Sequence, residues 1–176
     1  MHKWFQRWKP HLYTLILTLS VFAADQWSKL AIQSFFEERG VTIDNLQGVK
    51  SEPVLGGLFG LRLAKNTGAA FGLFGGGAST PFFLLAVSVV GMAAAVWIYW
   101  YYSGSRWLRT AWACAAGGGF GNLLDRLRLG YVVDFIDVDI GAYQWPYFNL
   151  ADTFLCVGAG MLILSTALDR RKEADA

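Results

Sequence analysis

The sequence has few of the residues on which most hydrolytic and metal sites depend. The 176-residue chain contains two histidines, His2 and His11, and two cysteines, Cys114 and Cys156. Both histidines precede the first apolar stretch, so a Ser-His-Asp or Cys-His site would need a histidine from the extreme N-terminus. The cysteines lie far apart within apolar stretches, which argues against a C-x-x-C redox pair and against a His/Cys zinc site. Any proton transfer must therefore be done by carboxylates.

Charged residues are also scarce, at 16% of the chain against about 25% in a typical soluble domain. Hydrophobic residues make up 55%, including 8 Trp and 13 Phe, and a soluble domain of this size could not bury so much apolar surface. The composition excludes a disordered chain and a secreted disulfide scaffold. The net charge of +2, without a basic run, excludes a nucleic-acid binder. The sequence predicts one membrane-embedded domain over residues 1–176.

Four apolar stretches approach or exceed the roughly 20 residues that a helix needs to cross a bilayer. The predicted spans cover residues 12–36, 81–102, 107–125 and 148–168. The second span ends in aromatic residues typical of the membrane–water interface, and the third contains three consecutive glycines that allow close helix contact. The basic N-terminal flank resembles a secretory signal. We nevertheless expect the first span to remain uncleaved, because helix-compatible sequence continues past Asp25.

Basic residues predict the orientation of these spans. With four crossings, three flanking segments fall on one side of the membrane, and they contain eight basic residues. These are Lys3, Arg7, Lys9, Arg106, Arg109, Arg170, Arg171 and Lys172. The positive-inside rule then places both termini in the cytoplasm and the segments 37–80 and 126–147 outside.

The outer segment 37–80 is too polar to cross a membrane. The alternation at Leu61-Arg62-Leu63 favours a strand, Gly56-Gly57 and Gly60 suggest turns or bulges, and Gly75-Gly76-Gly77 suggests a flexible joint. We therefore predict a β segment over about residues 40–75. The predicted fold class is an α-helical membrane protein with four transmembrane helices and a small extracytoplasmic β-sheet segment.

Three polar clusters lie near the predicted outer ends of the spans, where ionisable residues are costly. They are Asn122 with Asp125 and Arg126, the acids Asp134, Asp137 and Asp139, and Asn149 with Asp152. Each has a structural interpretation. Arg126 would pair with Asp125 at an interfacial helix end, Asp137 and Asp139 would lie exposed on a strand edge, and Asn149 and Asp152 would cap a helix.

A catalytic interpretation competes with this structural one. Asp134 lies between Val133 and Phe135, and Asp152 lies on the wall of the bundle, so both are candidates for burial. If the third and fourth spans pack side by side, the two carboxyl groups face each other. Two carboxylates in one site do not both ionise easily, so one retains a proton while the other acts as a base, as in aspartic proteases. Sequence alone leaves both interpretations open.

Five motifs, in this order, resemble those of the lipoprotein signal peptidase (signal peptidase II) family, which are bacterial inner-membrane aspartyl proteases. They are Asp25 with Lys29, and the segments 66–71, 121–126, 132–136 and 148–152. The similarity covers roughly residues 12–168. Each motif alone is weak, but five in the same order are specific.

The resemblance implies an endopeptidase that removes the signal peptide from diacylglyceryl-modified prolipoproteins, cutting N-terminal to the lipidated cysteine. It implies Asp134 and Asp152 as the catalytic pair. It gives substrate-binding or supporting roles to Asn66, Gly68, Asn122, Asp125, Arg126, Asn149, Asp25 and Lys29. It also implies no metal or cofactor, sensitivity to globomycin, and a multi-pass location in the bacterial inner membrane with the active site near the outer face. As partners we expect prolipoproteins and membrane lipid, and we expect a monomer.

The alternative is a small membrane transporter or scaffold with structural acids. A transporter would place its acids near the membrane midplane and would show related halves, and neither feature is visible here. A scaffold gives no reason for the amide of Asn122 or the carboxyl group of Asp152.

Overall fold

The computed structural model describes residues 2–46, 49–54, 58–68, 80–102, 104–141 and 143–174. Its four helices are α1 (His2–Glu37), α2 (Thr80–Tyr102), α3 (Arg106–Leu129) and α4 (Leu150–Ala174). The first three predicted spans lie within α1, α2 and α3, and the fourth lies on α4 except for its first two residues, so the prediction of four helices is confirmed. The predicted turn at Gly56-Gly57 and the joint at Gly75-Gly76-Gly77 lie outside the described residues.

Helix α3 lies at the centre of the bundle and packs against α1, α2 and α4. Small residues make this packing possible. A Cβ on Gly118 would collide with the carbonyl oxygen of Ala151 in α4, and a Cβ on Gly158 would lie 2.6 Å from the carbonyl oxygen of Ala111 in α3. The glycines therefore let α3 and α4 approach until backbone meets backbone.

The surfaces of the helices are apolar where a membrane would surround them. Within the described part of the chain, Trp8–Glu37, Phe82–Trp100 and Leu150–Leu168 are long and apolar enough to cross a bilayer. Helix α3 is also long enough, at 24 residues, but it has charged residues near both ends and a glycine-rich middle. Large side chains such as Trp27, Phe82 and Ile163 are more than 70% exposed, as expected of surfaces that face lipid rather than water.

The sheet has four antiparallel strands in the order β1 (Glu52–Val54), β2 (Phe59–Asn66), β3 (Val132–Ile140) and β4 (Tyr143–Gln144). Two strands fall within the predicted segment 40–75, but the longest one, β3, follows α3. Gly130 ends α3 in the left-handed conformation, with φ at 77°, and the chain then turns directly into β3. This short turn brings β3 beside β2, with Ala64 opposite Asp134.

A small apolar core joins the sheet to the end of α1. Phe36 at the end of α1 packs with Val49, Leu63 and Val133. The sheet is thereby fixed over one end of the helical bundle, close to the residues at the end of α3 and the start of α4.

Replacing Gly118 with alanine should destabilise the protein by about 1–3 kcal/mol, a typical cost of overpacking. The new methyl group would meet backbone atoms of Ala151, which cannot move aside as a flexible side chain can. Thermal unfolding of the purified protein in detergent measures the effect. Gly160→Ala is the matched control, because a Cβ at Gly160 meets nothing within 4 Å and alanine favours a helix. Equal melting temperatures for the two variants would contradict the proposed close packing.

Candidate active site

The start of α4 is organised by a reciprocal pair of hydrogen bonds. The backbone N–H of Asp152 donates to Oδ1 of Asn149 at 2.9 Å, and the backbone N–H of Asn149 donates to Oδ2 of Asp152 at 3.3 Å. This is a capping box, in which two otherwise unpaired N–H groups are satisfied. The capping interpretation of these residues is therefore correct. Capping does not account for the whole of the Asn149 side chain, because its Nδ2 group takes no part in the capping box and can donate elsewhere.

Asp134 on β3 is buried and receives one amide on each carboxyl oxygen. Nδ2 of Asn149 donates to Oδ1 at 2.7 Å, and Nδ2 of Asn66 donates to Oδ2 at 2.9 Å. Asn66 is oriented in turn by the backbone N–H of Gly68, which donates to its Oδ1 at 3.1 Å. Two distant segments of the chain, one at the end of β2 and one just before α4, thus fix the carboxyl group of Asp134.

The pKa of Asp134 is raised to about 7, first by burial and second by the charge of Asp152 nearby. The hydrogen bonds from Asn66 and Asn149 and the charge of Lys29 oppose this shift, because they favour the ionised form. Asp134 can therefore hold a proton near neutral pH.

A second asparagine connects the two acids. Nδ2 of Asn122 donates to Oδ1 of Asp152 at 2.7 Å, while Oδ1 of Asn122 accepts from Nδ2 of Asn149 at 3.1 Å. A continuous chain of amides therefore runs from Asp134 through Asn149 and Asn122 to Asp152. This arrangement accounts for the amide of Asn122, which the structural interpretation of the sequence left unexplained.

Lys29 lies at the centre of a buried ion cluster beneath the two acids. Its Nζ is 2.9 Å from Oδ2 of both Asp25 and Asp125, and it donates to Oδ1 of Asn122 at 3.1 Å. The three N–H groups of the ammonium thus have three acceptors. Lys29 holds Asn122 in the orientation that presents its Nδ2 to Asp152.

Asp25 and Asp125 attach the neighbouring elements to this cluster. Oδ1 of Asp25 accepts from the backbone N–H of Ala151 at 2.9 Å, at the start of α4. Oδ2 of Asp125 accepts from the backbone N–H of Val133 at 3.2 Å, on β3. The contacts are those of supporting residues: they position α4 and β3, which carry the other two acids.

The structure differs from two expectations about charged residues. Asp125 pairs with Lys29 rather than with Arg126, whose Nη1 donates to the carbonyl oxygen of Asn122 at 3.3 Å. Asp137 was expected on an exposed edge, but it lies on β3, an inner strand of the sheet, and is only 7% exposed. Asp139 is exposed as expected.

Gln26 belongs to the site and was not predicted. Its Nε2 lies 3.1 Å from Oδ2 of Asp25, 3.2 Å from the carbonyl oxygen of Gly121 and 3.1 Å from Oδ1 of Asp125. The sequence feature that could have identified Gln26 is an amide side chain within an apolar span, next to Asp25. Residues 69–71 of the second motif lie outside the described residues.

The acids of the candidate site already have amides or Lys29 as partners. In the ranges that the structure describes, no three His, Cys, Asp or Glu side chains form a group suited to a metal ion. The absence of a metal or cofactor from the reaction stays a prediction.

Comparisons with known proteins agree with the motifs. Residues 17–168 match the family model described as Signal peptidase (SPase) II. The lipoprotein signal peptidase of Syntrophotalea carbinolica is 38% identical over 159 residues, which cover 86% of this chain and 88% of that protein. The lipoprotein signal peptidase of Bacillus subtilis is 35% identical over 162 residues, covering 92% and 97%.

A solved bacterial membrane enzyme shares the fold. Its TM-score with this structure is 0.73 at 25% identity, and the match covers 90% of this chain and 89% of that one. Family, fold and motif order agree, and the resemblance is confirmed: the chain belongs to the signal peptidase II family of membrane proteases.

Proposed function

We propose that the protein is an aspartyl endopeptidase that removes the signal peptide from diacylglyceryl-modified prolipoproteins. It cuts on the N-terminal side of the lipidated cysteine. The observation that carries the proposal is the convergence of Asp134 and Asp152, joined by the amides of Asn122 and Asn149 at one end of the bundle. The substrate class is suggested by the relatives, which are named lipoprotein signal peptidases.

The two carboxyl groups act together on water and on the scissile carbonyl. The pair shares one proton. The ionised carboxylate takes a proton from water, whose oxygen attacks the carbonyl carbon, while the protonated partner donates its proton to the carbonyl oxygen. The tetrahedral intermediate then collapses: the C–N bond breaks, the leaving nitrogen takes a proton from the pair, and the hydroxyl of the intermediate returns one. The pair ends with a single proton, as it began.

Turnover should fall as pH rises through about 7. The pKa of Asp134 is raised to about 7, so one shared proton is present below that pH and is lost above it. The apparent pKa of this alkaline limb belongs to the pair rather than to one residue. A profile of kcat/KM from about pH 5 to pH 9 on a lipidated substrate checks this. A flat profile across the upper half of that range would contradict the shared-proton mechanism.

Replacing Asn66 with alanine should weaken turnover without unfolding the protein. The variant loses the amide that donates to Oδ2 of Asp134. A hydrogen bond to a charged group contributes about 1.5–3 kcal/mol, so kcat/KM should fall by roughly ten- to a hundredfold. Asn45→Ala is the control, because Asn45 lies exposed in the same outer segment. Unchanged turnover in the Asn66 variant would remove Asn66 from the site.

The proposed topology follows from the position of the site on the helices. Asp25 lies 16 residues after Lys9 along α1, which is about 24 Å by helix rise, so the site and the basic flank are at opposite ends of the bundle. We therefore place both termini in the cytoplasm and the site near the outer face of the bacterial inner membrane. The side chains of residues 2–7 and 169–174 lie outside the described part of the chain.

The remaining parts of the proposal concern assembly and ligands. We propose that residues 1–176 form one peptidase domain that works as a monomer in contact with membrane lipid. Globomycin would inhibit the enzyme by occupying the same site.

The decisive experiment compares two forms of one substrate. The purified protein is incubated with a prolipoprotein that carries the diacylglyceryl cysteine and with the same polypeptide lacking the lipid. Mass spectrometry should show a product that begins at the lipidated cysteine, formed only from the first substrate. Equal cleavage of both substrates would refute the lipid requirement, and no cleavage of either would refute the proposed substrate class.

A further inference from the structure

A cavity of about 220 Å³ lies on the sheet, lined by Ser51, Pro53, Phe59, Gly60, Asp137 and Asp139. The strand register explains why these residues meet. Pro53 is opposite Gly60 on β2, and Gly60 is opposite Asp137 on β3. Ser51 and Asp139 lie two residues away from this row and therefore share its face. Asp134, three residues before Asp137, faces the other side of the sheet, so this cavity is separate from the candidate active site.

Asp137 has an oxygen atom without a partner among the described residues. Its side chain is more than nine-tenths buried, and its Oδ1 accepts no hydrogen bond from any of them. Among the described residues, no basic side chain forms an ion pair with either Asp137 or Asp139. A buried carboxylate oxygen without a donor is costly, and in native proteins such a group usually has a water or ion as its partner.

Gly60 provides the space for a third oxygen. A Cβ at Gly60 would collide with the hydroxyl of Ser51, so the absence of a side chain lets this hydroxyl lie beside the Gly60–Asp137 pair. The cavity is thus bordered by two carboxylates and one hydroxyl. Oxygen donors of this kind suit hard cations, whereas soft metals prefer sulfur or imidazole.

We propose that this cavity binds a hard divalent cation, Mg²⁺ or Ca²⁺, through Asp137, Asp139 and Ser51. Two positive charges balance the two carboxylates, and a cavity of about 220 Å³ leaves room for the waters that complete the coordination shell. The cation joins the segment before β1 to β3 and stabilises the outer sheet. With only two carboxylates as ligands, the dissociation constant should be on the order of 10⁻⁴–10⁻³ M. The site does not depend on the proposed peptidase mechanism.

The test is thermal unfolding of the full-length purified protein in chelator, MgCl₂ or CaCl₂, with ionic strength matched by NaCl. A cation at about ten times its dissociation constant shifts the folding equilibrium roughly tenfold, which should raise the melting temperature by about 3–6 °C. Asp137→Asn should abolish this response. Asp139→Asn, at an exposed position, should weaken it and serves as the second variant if the first does not fold.

Asp44→Asn is the control, because Asp44 is an exposed acid whose described ion pair is with Lys65, and it should keep the full response. Equilibrium dialysis with Ca²⁺ provides a direct measure of one bound ion per chain. The proposal is overturned if neither divalent cation raises the melting temperature beyond NaCl, since water then satisfies Asp137. It is also overturned if Asp137→Asn and Asp139→Asn respond as the wild type does.

Discussion

Asp134→Asn and Asp152→Asn should each reduce cleavage of a lipidated prolipoprotein by roughly 10²–10⁴-fold, the usual contribution of a general acid or base. Asparagine has nearly the same shape as aspartate but cannot exchange the proton that the reaction needs. At position 134, the asparagine keeps an oxygen that can accept a hydrogen bond from Asn149 or Asn66. At position 152, it keeps an oxygen that can accept a hydrogen bond from Asn122. The loss should therefore appear in turnover far more than in folding.

The control for this pair is Asp44→Asn, which makes the same chemical change at an exposed position in the outer segment. It should retain near-normal turnover. The melting temperatures of all three variants show whether a loss of turnover is due to a loss of stability. Asp152→Asn also loses an acceptor in the capping box, which costs about 0.5–2 kcal/mol of stability. If either active-site variant cuts at a near-normal rate, that aspartate is structural and the two-acid mechanism is wrong.

A second measurement, which does not depend on activity, tests whether Asp152 affects the pKa of Asp134. The charge of Asp152 is one cause of the raised pKa of Asp134. Asp152→Asn removes that charge, so the pKa of Asp134 should fall. Titration of the Asp134 carboxyl by infrared or NMR spectroscopy would detect this shift. An unchanged pKa of Asp134 would mean that the two carboxyl groups do not interact electrostatically.

The helices and the main acids were predictable because their signals are local. Long apolar runs identify spans, and a polar side chain in or beside such a run is costly enough to mark a functional or structural site. Asp134, Asp152 and Asn122 were found in this way. The family resemblance added Asn66 and Lys29, which composition alone would not have connected to the acids.

The pairings between distant residues were not predictable. β2 and β3 are separated by the whole of α2 and α3, so their register depends on how the bundle brings their ends together. Asp125 has Arg126 as its neighbour in sequence but points toward α1 and pairs with Lys29. The burial of Asp137 likewise depends on strands from another part of the chain. Sequence spacing predicts on which face of a helix or strand a side chain lies, whereas tertiary packing determines which residue it contacts there.

Lys29→Met should destabilise the protein by about 3–5 kcal/mol, the cost of breaking a buried ion pair on one side. Methionine has a similar length but provides no charge and no donor, so the carboxyl groups of Asp25 and Asp125 would be left buried without the cation that lies 2.9 Å from each. Thermal unfolding in detergent should show a fall of roughly 10 °C. Turnover should fall as well, because Asn122 loses the donor that orients it toward Asp152.

Two further variants test whether the loss of the Lys29 charge causes the loss of stability. Lys65→Met makes the same substitution at a partly exposed lysine whose ion pair with Asp44 is longer, at 3.6 Å, and should change stability by no more than about 0.5 kcal/mol. Adding Asp125→Asn to Lys29→Met removes one of the uncompensated acids and should restore part of the lost stability, so the two changes should not be additive. If the double variant is less stable than Lys29→Met by the full cost of Asp125→Asn alone, the two residues are not coupled. Lys29 would then stabilise the bundle through its packing, and the ion cluster would not be what holds α4 and β3 in place beside Asp134 and Asp152.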